Sequence, residues 1–315
     1  MRIVFMGTPE FAVPSLQALI DQRYNVVGVF TQPDRPVGRG RKLTSPPVKV
    51  LAQKYNIPVY QPQKIRKDGI EVLKTLKPDV CVTVAFGQIL SKEILDIPPF
   101  GTINVHASLL PKHRGCAPIQ YAILQGERET GITTMLTDVG IDTGDILLRK
   151  SLKIEPEESA EELAKRLAIV GAETLLLTLE QLFDGRLTPI AQIEAESTYD
   201  PLLTKEMGKI DFSKTTQEIV NQVRALIPWP GCYVDMSSGR MKVWKASKGS
   251  LTGTMGQVLA ASPKEGLVVG TQDGSVVLEI IQMPNCARMD ACAYLQGNTV
   301  DVGENWGHEC RDEER

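Results

Sequence analysis

Long apolar runs are missing from this chain of 315 residues. No stretch of ~18 consecutive apolar residues occurs, so no membrane-spanning helix is expected. The opening MRIVFMGTPEF holds one basic residue and a strand-like run broken by Gly7 and Pro9, without the apolar core of a secretion signal. Paired cysteine spacing is missing as well. The six cysteines exclude a disulfide scaffold and fit a reducing compartment. Excess positive charge is absent, with 35 basic against 38 acidic residues and a net charge of -3. Taken alone, that counts against a nucleic-acid partner. No internal repeat is present. What remains, 42% hydrophobic and 23% charged residues, is an ordinary globular composition and excludes collagen-like and disordered classes. The length suggests about two domains.

The first half alternates short apolar runs with amphipathic stretches. Residues 2–6, 25–30, 79–86, 101–107 and 131–137 are rich in Val, Ile, Thr and Phe. Their apolar residues run on rather than alternate, as in strands covered on both faces. Helical patterns fall at 11–20, 46–55, 65–76 and 118–124, and the longest, 159–183, opens on Ser159 with Glu162 three residues on. This rhythm predicts an α/β fold, with a doubly wound, mostly parallel, Rossmann-like sheet over residues 1–189. Residues 190–208 read as a linker, dominated by Thr, Pro, Glu and Ser with little periodicity. An amphipathic helix is expected at 216–227. Short strands at 232–236, 241–246, 256–261, 266–271 and 275–283, separated by turn residues, predict a small OB-like β-barrel over 209–315.

Residues able to carry chemistry are few. The Gly7-Thr8-Pro9 turn lacks the G-x-G-x-x-G spacing that lets backbone approach a pyrophosphate, which disfavours a dinucleotide oxidoreductase. Asn104 and His106 lie two apart on an apolar strand and so share a face. Ligands of such sheets bind at the carboxyl ends of strands, and only three histidines occur in the whole chain. Residues 137–145 supply Asp138, Asp142 and Asp145 with two glycines, without the spacing of a calcium loop. Asn, His and a carboxylate without a Ser or Cys nucleophile suit group transfer to an external nucleophile. Asn104 and His106 would stabilise an oxyanion and Asp142 would manage the proton. Cys286, Cys292, His308 and Cys310 lack C-x-x-C spacing and are not expected to bind zinc. His113, between Lys112 and Arg114, is expected to be exposed.

The pattern Asn104-x-His106-x-Ser108-Leu-Leu-Pro111, with Asp142-Thr-Gly144 at its interval, resembles the folate-dependent formyltransferase superfamily. The resemblance implies that 10-formyltetrahydrofolate donates a formyl group to an amine, without a metal. It makes Asn104, His106 and Asp142 the catalytic triad. Phe86, Gly87, Gln88 and Leu90, together with Ser108, Leu109, Leu110 and Pro111, would line the folate pocket. The loop carrying Asp138 and Gly140 would cover the pterin. The stretch TQPDRPVGRGRKL at 31–43 is similar to the inserted loop of the superfamily's tRNA-formylating branch, as are 48–52, 205–211, 228–230 and 242–246. This implies initiator methionyl-tRNA as acceptor and a cytoplasmic, bacterial-type role in translation initiation. No apolar surface stripe is left over, so a monomer is expected. A sibling that formylates a sugar-nucleotide or glycinamide amine is the alternative. A non-catalytic RNA-binding module is a second, and the complete triad counts against it.

The charge is unevenly spread. From Arg35 to Lys67 there is no acid and there are nine basic residues; 236–264 is also free of acids and holds five. Arg35, Arg39, Arg41, Lys42 and Lys49 in the first window, and Lys242 and Lys245 in the second, are the expected phosphate contacts. By the resemblance, Arg39 is the residue to enter the acceptor stem.

Overall fold

The computed structural model describes residues 1–37, 40 and 42–306. Contacts divide the chain into two compact units: 1–118, 129–153 and 163–200 in the first, and 119–128, 154–162 and the residues from 201 onward in the second.

The first unit is built on seven strands: β1 (Arg2–Gly7), β2 (Asn25–Phe30), β3 (Val59–Tyr60), β4 (Val80–Val84), β5 (Thr102–His106), β6 (Glu129–Leu136) and β7 (Ile146–Lys153). Their order across the sheet is β7-β6-β5-β4-β1-β2-β3. Strands β1 to β5 are parallel, and β6 and β7 run antiparallel beyond β5. The run-on apolar pattern is explained by burial on both faces. Ile3, Val4, Phe5 and Met6 are consecutive and fully buried, and each such side chain stabilises the fold by roughly 1.5–3 kcal/mol. On one face Val4, Met6 and Cys81 pack with Phe30, Ile65, Leu73, Phe86 and Ile94. The helix Ala160–Phe183 lies over β5 and β6: Val105 is in van der Waals reach of Gly171, and Thr134 and Thr178 share a hydrogen bond of 2.7 Å. Chain order reverses between β1 and β4, the switch point at which such sheets open a crevice. A cavity of about 460 Å³ is found there, lined by Thr8, Pro9, Gln32 and Ala85 among others.

The second unit holds an antiparallel sheet of β8 (Cys232–Met236), β9 (Gly239–Lys248), β10 (Val258–Ser262), β11 (Gly266–Gly270) and β12 (Ser275–Gln282). Thr216–Leu226 packs on it, burying Ile219, Val223 and Leu226. Residues 190–200, read as a linker, carry specific contacts within the first unit: Ile190 bridges to Ile146, and Tyr199–Asp200 pairs with Arg114–Gly115.

Candidate active site

Strand β5 presents Asn104 and His106 on one face, as their spacing requires. The loop after β6 then folds back across that face. It starts where the Thr137 amide donates to the Thr102 carbonyl at 2.7 Å, and it brings the Asp142 carboxylate to both side chains. Asn104 Nδ2 donates to Asp142 Oδ1 at 3.3 Å, and His106 Nδ1 lies 3.6 Å from Asp142 Oδ2. Thr83, paired with Asn104 in the sheet, donates to its Oδ1 at 3.1 Å. The Asn104 amide is thereby oriented, with its nitrogen toward the carboxylate.

The imidazole of His106 is buried, and its tautomer follows from its neighbours. Nε2 lies 2.8 Å from the His113 carbonyl. A carbonyl only accepts, so Nε2 carries a hydrogen. Nδ1 is then the nitrogen that gains or loses a proton. At 3.6 Å it is beyond a hydrogen bond to Asp142, so a proton held there is left to a substrate oxygen while the carboxylate acts through space. Asp142 Oδ2 is itself held by the Gly115 amide at 2.9 Å. Asp142 sits in the left-handed region, at φ +54°, a conformation that a non-glycine residue keeps only when its surroundings hold it.

The residues expected to line a folate pocket divide by orientation. Gln88 faces inward: its Oε1 accepts from the Ile65 amide at 2.6 Å and its Nε2 donates to Pro62 at 3.0 Å. Phe86 and Leu90 pack against the core. Leu110 is buried with Met135 and Ile146. The Gly87 carbonyl takes a bond from Gln32 Nε2 at 2.9 Å. Ser108 donates to the Lys112 carbonyl at 2.7 Å and shapes the Leu109–Pro111 turn. Asp138 accepts from the Gly140 amide at 3.0 Å and from Thr143 Oγ1 at 2.7 Å, which folds the loop on itself. The same loop holds Val139 and Ile141 out to solvent, 75% and 65% exposed, and Ile89 after β4 is 77% exposed. Apolar side chains beside a polar centre fit a flat ring with a polar edge, so the residues present suit a folate.

His113 is buried, contrary to expectation. Its Nδ1 lies 2.8 Å from Asp200 Oδ2, a partner far along the chain whose carboxylate offsets the cost of burying a ring between Lys112 and Arg114. Sequence reading also missed Thr83, Gly115 and Gln192, whose Nε2 donates to the Asp142 carbonyl at 2.8 Å. Thr83 had a signal, since it stands on the strand beside Asn104; the other two act through backbone or from an aperiodic segment.

Among the basic residues, Arg35 and Lys42 are exposed on a short hairpin of Arg35–Val37 with Lys42–Thr44. Arg39 and Arg41 lie outside the described residues, as do His308 and Cys310. Lys49 is turned inward: its ammonium binds Asp34 at 2.8 Å and Gln61 at 2.9 Å, and its side chain is 16% exposed. These bonds from Lys49 and Gln61 hold the Asp34 carboxyl below its usual range, and the network anchors the hairpin's base. Lys242 is exposed on β9, and Lys245 pairs with Glu279 at 2.8 Å. Trp244 is half-buried, under the Arg288 guanidinium. Burial pushes the Cys81 thiol up to about 12, which leaves it unreactive. Among the described residues no group of three or more His, Cys, Asp or Glu could hold a metal ion, and no helix is long and apolar enough to cross a membrane.

Two family models match: formyl transferase over residues 1–179, and formyl transferase, C-terminal domain, over residues 202–299. A methionyl-tRNA formyltransferase of Alkaliphilus metalliredigens is 49% identical, covering 98% of this chain and 99% of its own. One of Clostridioides difficile is 49% identical, over 96% and 99%. Among solved structures, an N-formyltransferase from Helicobacter canadensis, in complex with folinic acid and dTDP-3-aminofucose, superposes with a TM-score of 0.69 at 22% identity, over 88% of this chain and 98% of that one. HypX from Aquifex aeolicus with tetrahydrofolic acid gives 0.65 at 18% identity; 96% of this chain is covered, and it spans about half, 50%, of HypX. At these identities the two structures show a common fold.

Proposed function

The chain belongs to the formyl transferase family, and we infer from this that it transfers a formyl group to the α-amine of methionyl-tRNA, with 10-formyltetrahydrofolate as donor and the initiator tRNA as acceptor. Likeness to methionyl-tRNA formyltransferases at 49% identity runs through both domains, which favours a tRNA acceptor over a sugar amine. The observation that carries the chemistry is the meeting of Asn104 and His106 at the Asp142 carboxylate, with His106 Nδ1 facing it at 3.6 Å.

The donor supplies an activated formyl carbon bound to N10. The amine nitrogen bonds to that carbon, the bond to N10 breaks, and its electron pair leaves on N10, which takes up the proton. The chain's own residues meet the charges this creates. His106, protonated on Nδ1, and the second hydrogen of Asn104 Nδ2 donate to the formyl oxygen as negative charge builds there. Asp142 balances the imidazolium and relays the amine's proton to the departing N10, directly or through one water. Val139, Ile141 and Ile89 cover the ring of the donor. Arg35, Arg39, Arg41 and Lys42, with Lys242 and Lys245, grip tRNA phosphates, while Lys49 shapes the hairpin. The protein acts as a monomer.

The test offers 10-formyltetrahydrofolate with charged initiator tRNA, charged elongator methionyl-tRNA and an amino-sugar nucleotide in separate reactions. Formyl-methionine is expected on the initiator tRNA. Transfer to the sugar amine alone, or to none of the three, overturns the reading.

A further inference from the structure

We propose that Gln192 is a positioning residue for formyl transfer, and that the 192–200 segment carrying it is a clasp that sets the geometry of Asp142 and His106. The proposal rests on reading those residues as the transfer centre. Gln192 Nε2 donates to the Asp142 carbonyl at 2.8 Å and to the Gly144 carbonyl at 2.7 Å, and its Oε1 accepts from Arg114 Nε at 3.0 Å. Two carbonyls only accept and a guanidinium only donates, so the amide has one possible orientation. It bridges the backbone on both sides of Thr143, at the point where Asp142 holds its left-handed conformation. The main chain of Asp142 is thus fixed by Gln192, and its carboxylate by Gly115 and Asn104.

The same segment reaches His106 by a second route. The residues that hold the triad from behind are His113, through its carbonyl, and Gly115, through its amide. Both are tied to 198–200. Thr198 accepts from the His113 amide on Oγ1 at 2.7 Å and from the Arg114 amide on its carbonyl at 2.8 Å. Asp200 pairs with the His113 ring at 2.8 Å, both side chains buried. A Cβ on Gly115, which sits at φ +112°, would run into the Asp200 carbonyl, so only glycine lets the two strands meet. Arg114, 1% exposed, spends its side chain on this segment alone among its described bonds: Gln192 at 3.0 Å, Glu194 at 2.7 Å and Tyr199 at 2.6 Å. The bonds of these groups run to one another and to the supports of Asp142 and His106. They act through Asp142 and His106, and misplacing a catalytic group by about 1 Å costs on the order of 100-fold in rate.

The experiment is a double-mutant cycle on the full chain. Gln192→Ala is expected to lower kcat by about 10- to 100-fold while KM for the folate and for the tRNA moves less than about threefold and the melting temperature is nearly kept. In the Asp142→Asn background, the same Gln192→Ala change is expected to cost less than about threefold, because the group it positions is already disabled. An equal fall in both backgrounds, an unchanged kcat, or a loss confined to melting temperature overturns the proposal. His106→Ala, measured alongside, separates the two readings. If it keeps full turnover, the transfer centre itself is misassigned; if it is inactive while Gln192→Ala is normal, only the clasp is wrong.

Discussion

A backbone carbonyl decides how His106 is wired. Because the His113 carbonyl occupies Nε2, the ring presents Nδ1 to the site, and no tautomer choice is left to the substrate. That Asn104 and His106 share a face was legible from a spacing of two on an apolar strand, the family pattern added Asp142, and the three side chains do meet. The supports were not legible. Gln192 lies in an aperiodic stretch, and the burial of His113 depends on Asp200, which local sequence cannot announce. One charged support has a pH signature. Arg114 holds the Glu194 carboxyl below the usual carboxylate range. A lowered folded-state value means that the pair stabilises the fold above the unfolded glutamate value of about 4.3. That contribution is lost as pH falls through the lower folded value. Glu194→Gln is therefore expected to melt at a lower temperature than the unaltered chain at pH 7, with the gap closing toward pH 3. A gap that stays constant with pH would show that the charge of Glu194 adds nothing.

Elements with local signals were read nearly to their ends. The helix Ala160–Phe183 begins after Ser159, whose side chain and Glu162 satisfy each other's backbone amides at 3.3 and 2.9 Å. Thr216–Leu226 begins after Thr215, with the same reciprocal arrangement to Glu218. Thr215→Ala removes one such bond and is expected to cost about 1 kcal/mol, read from denaturant unfolding of the second unit; an unchanged midpoint would contradict it. Apart from the eight-residue edge strand Ile146–Lys153, the elements that sequence reading missed are short. Val59–Tyr60, the Arg35–Val37 hairpin and the ladder of Arg114–Gly115 with Tyr199–Asp200 hold two or three residues each. Too few residues show a period at that length, and outside the hairpin their partners are distant in the chain. The 190–200 stretch was read as a connection for the same reason, although its contacts are specific.

For the whole molecule, the net charge of -3 is an average over opposed regions. Along the sequence, two acid-free basic windows contrast with acid-rich stretches at 155–163 and 301–314, so attraction to a polyanion is concentrated rather than spread. Such a distribution favours one docking orientation. KM for tRNA is expected to rise steeply with salt and kcat to stay nearly flat, because phosphate contacts release counterions on binding and not during transfer. Equal salt slopes for the two would mean that the basic windows are only solvated surface. The account stands most directly on His106, and one measurement tests it: single-turnover transfer from 10-formyltetrahydrofolate to charged initiator tRNA, by the unaltered chain and by His106→Ala, with folate affinity determined in parallel. The rate is expected to fall by at least about 100-fold while folate affinity holds within a few-fold. A variant that transfers the formyl group at close to the original rate would contradict the account.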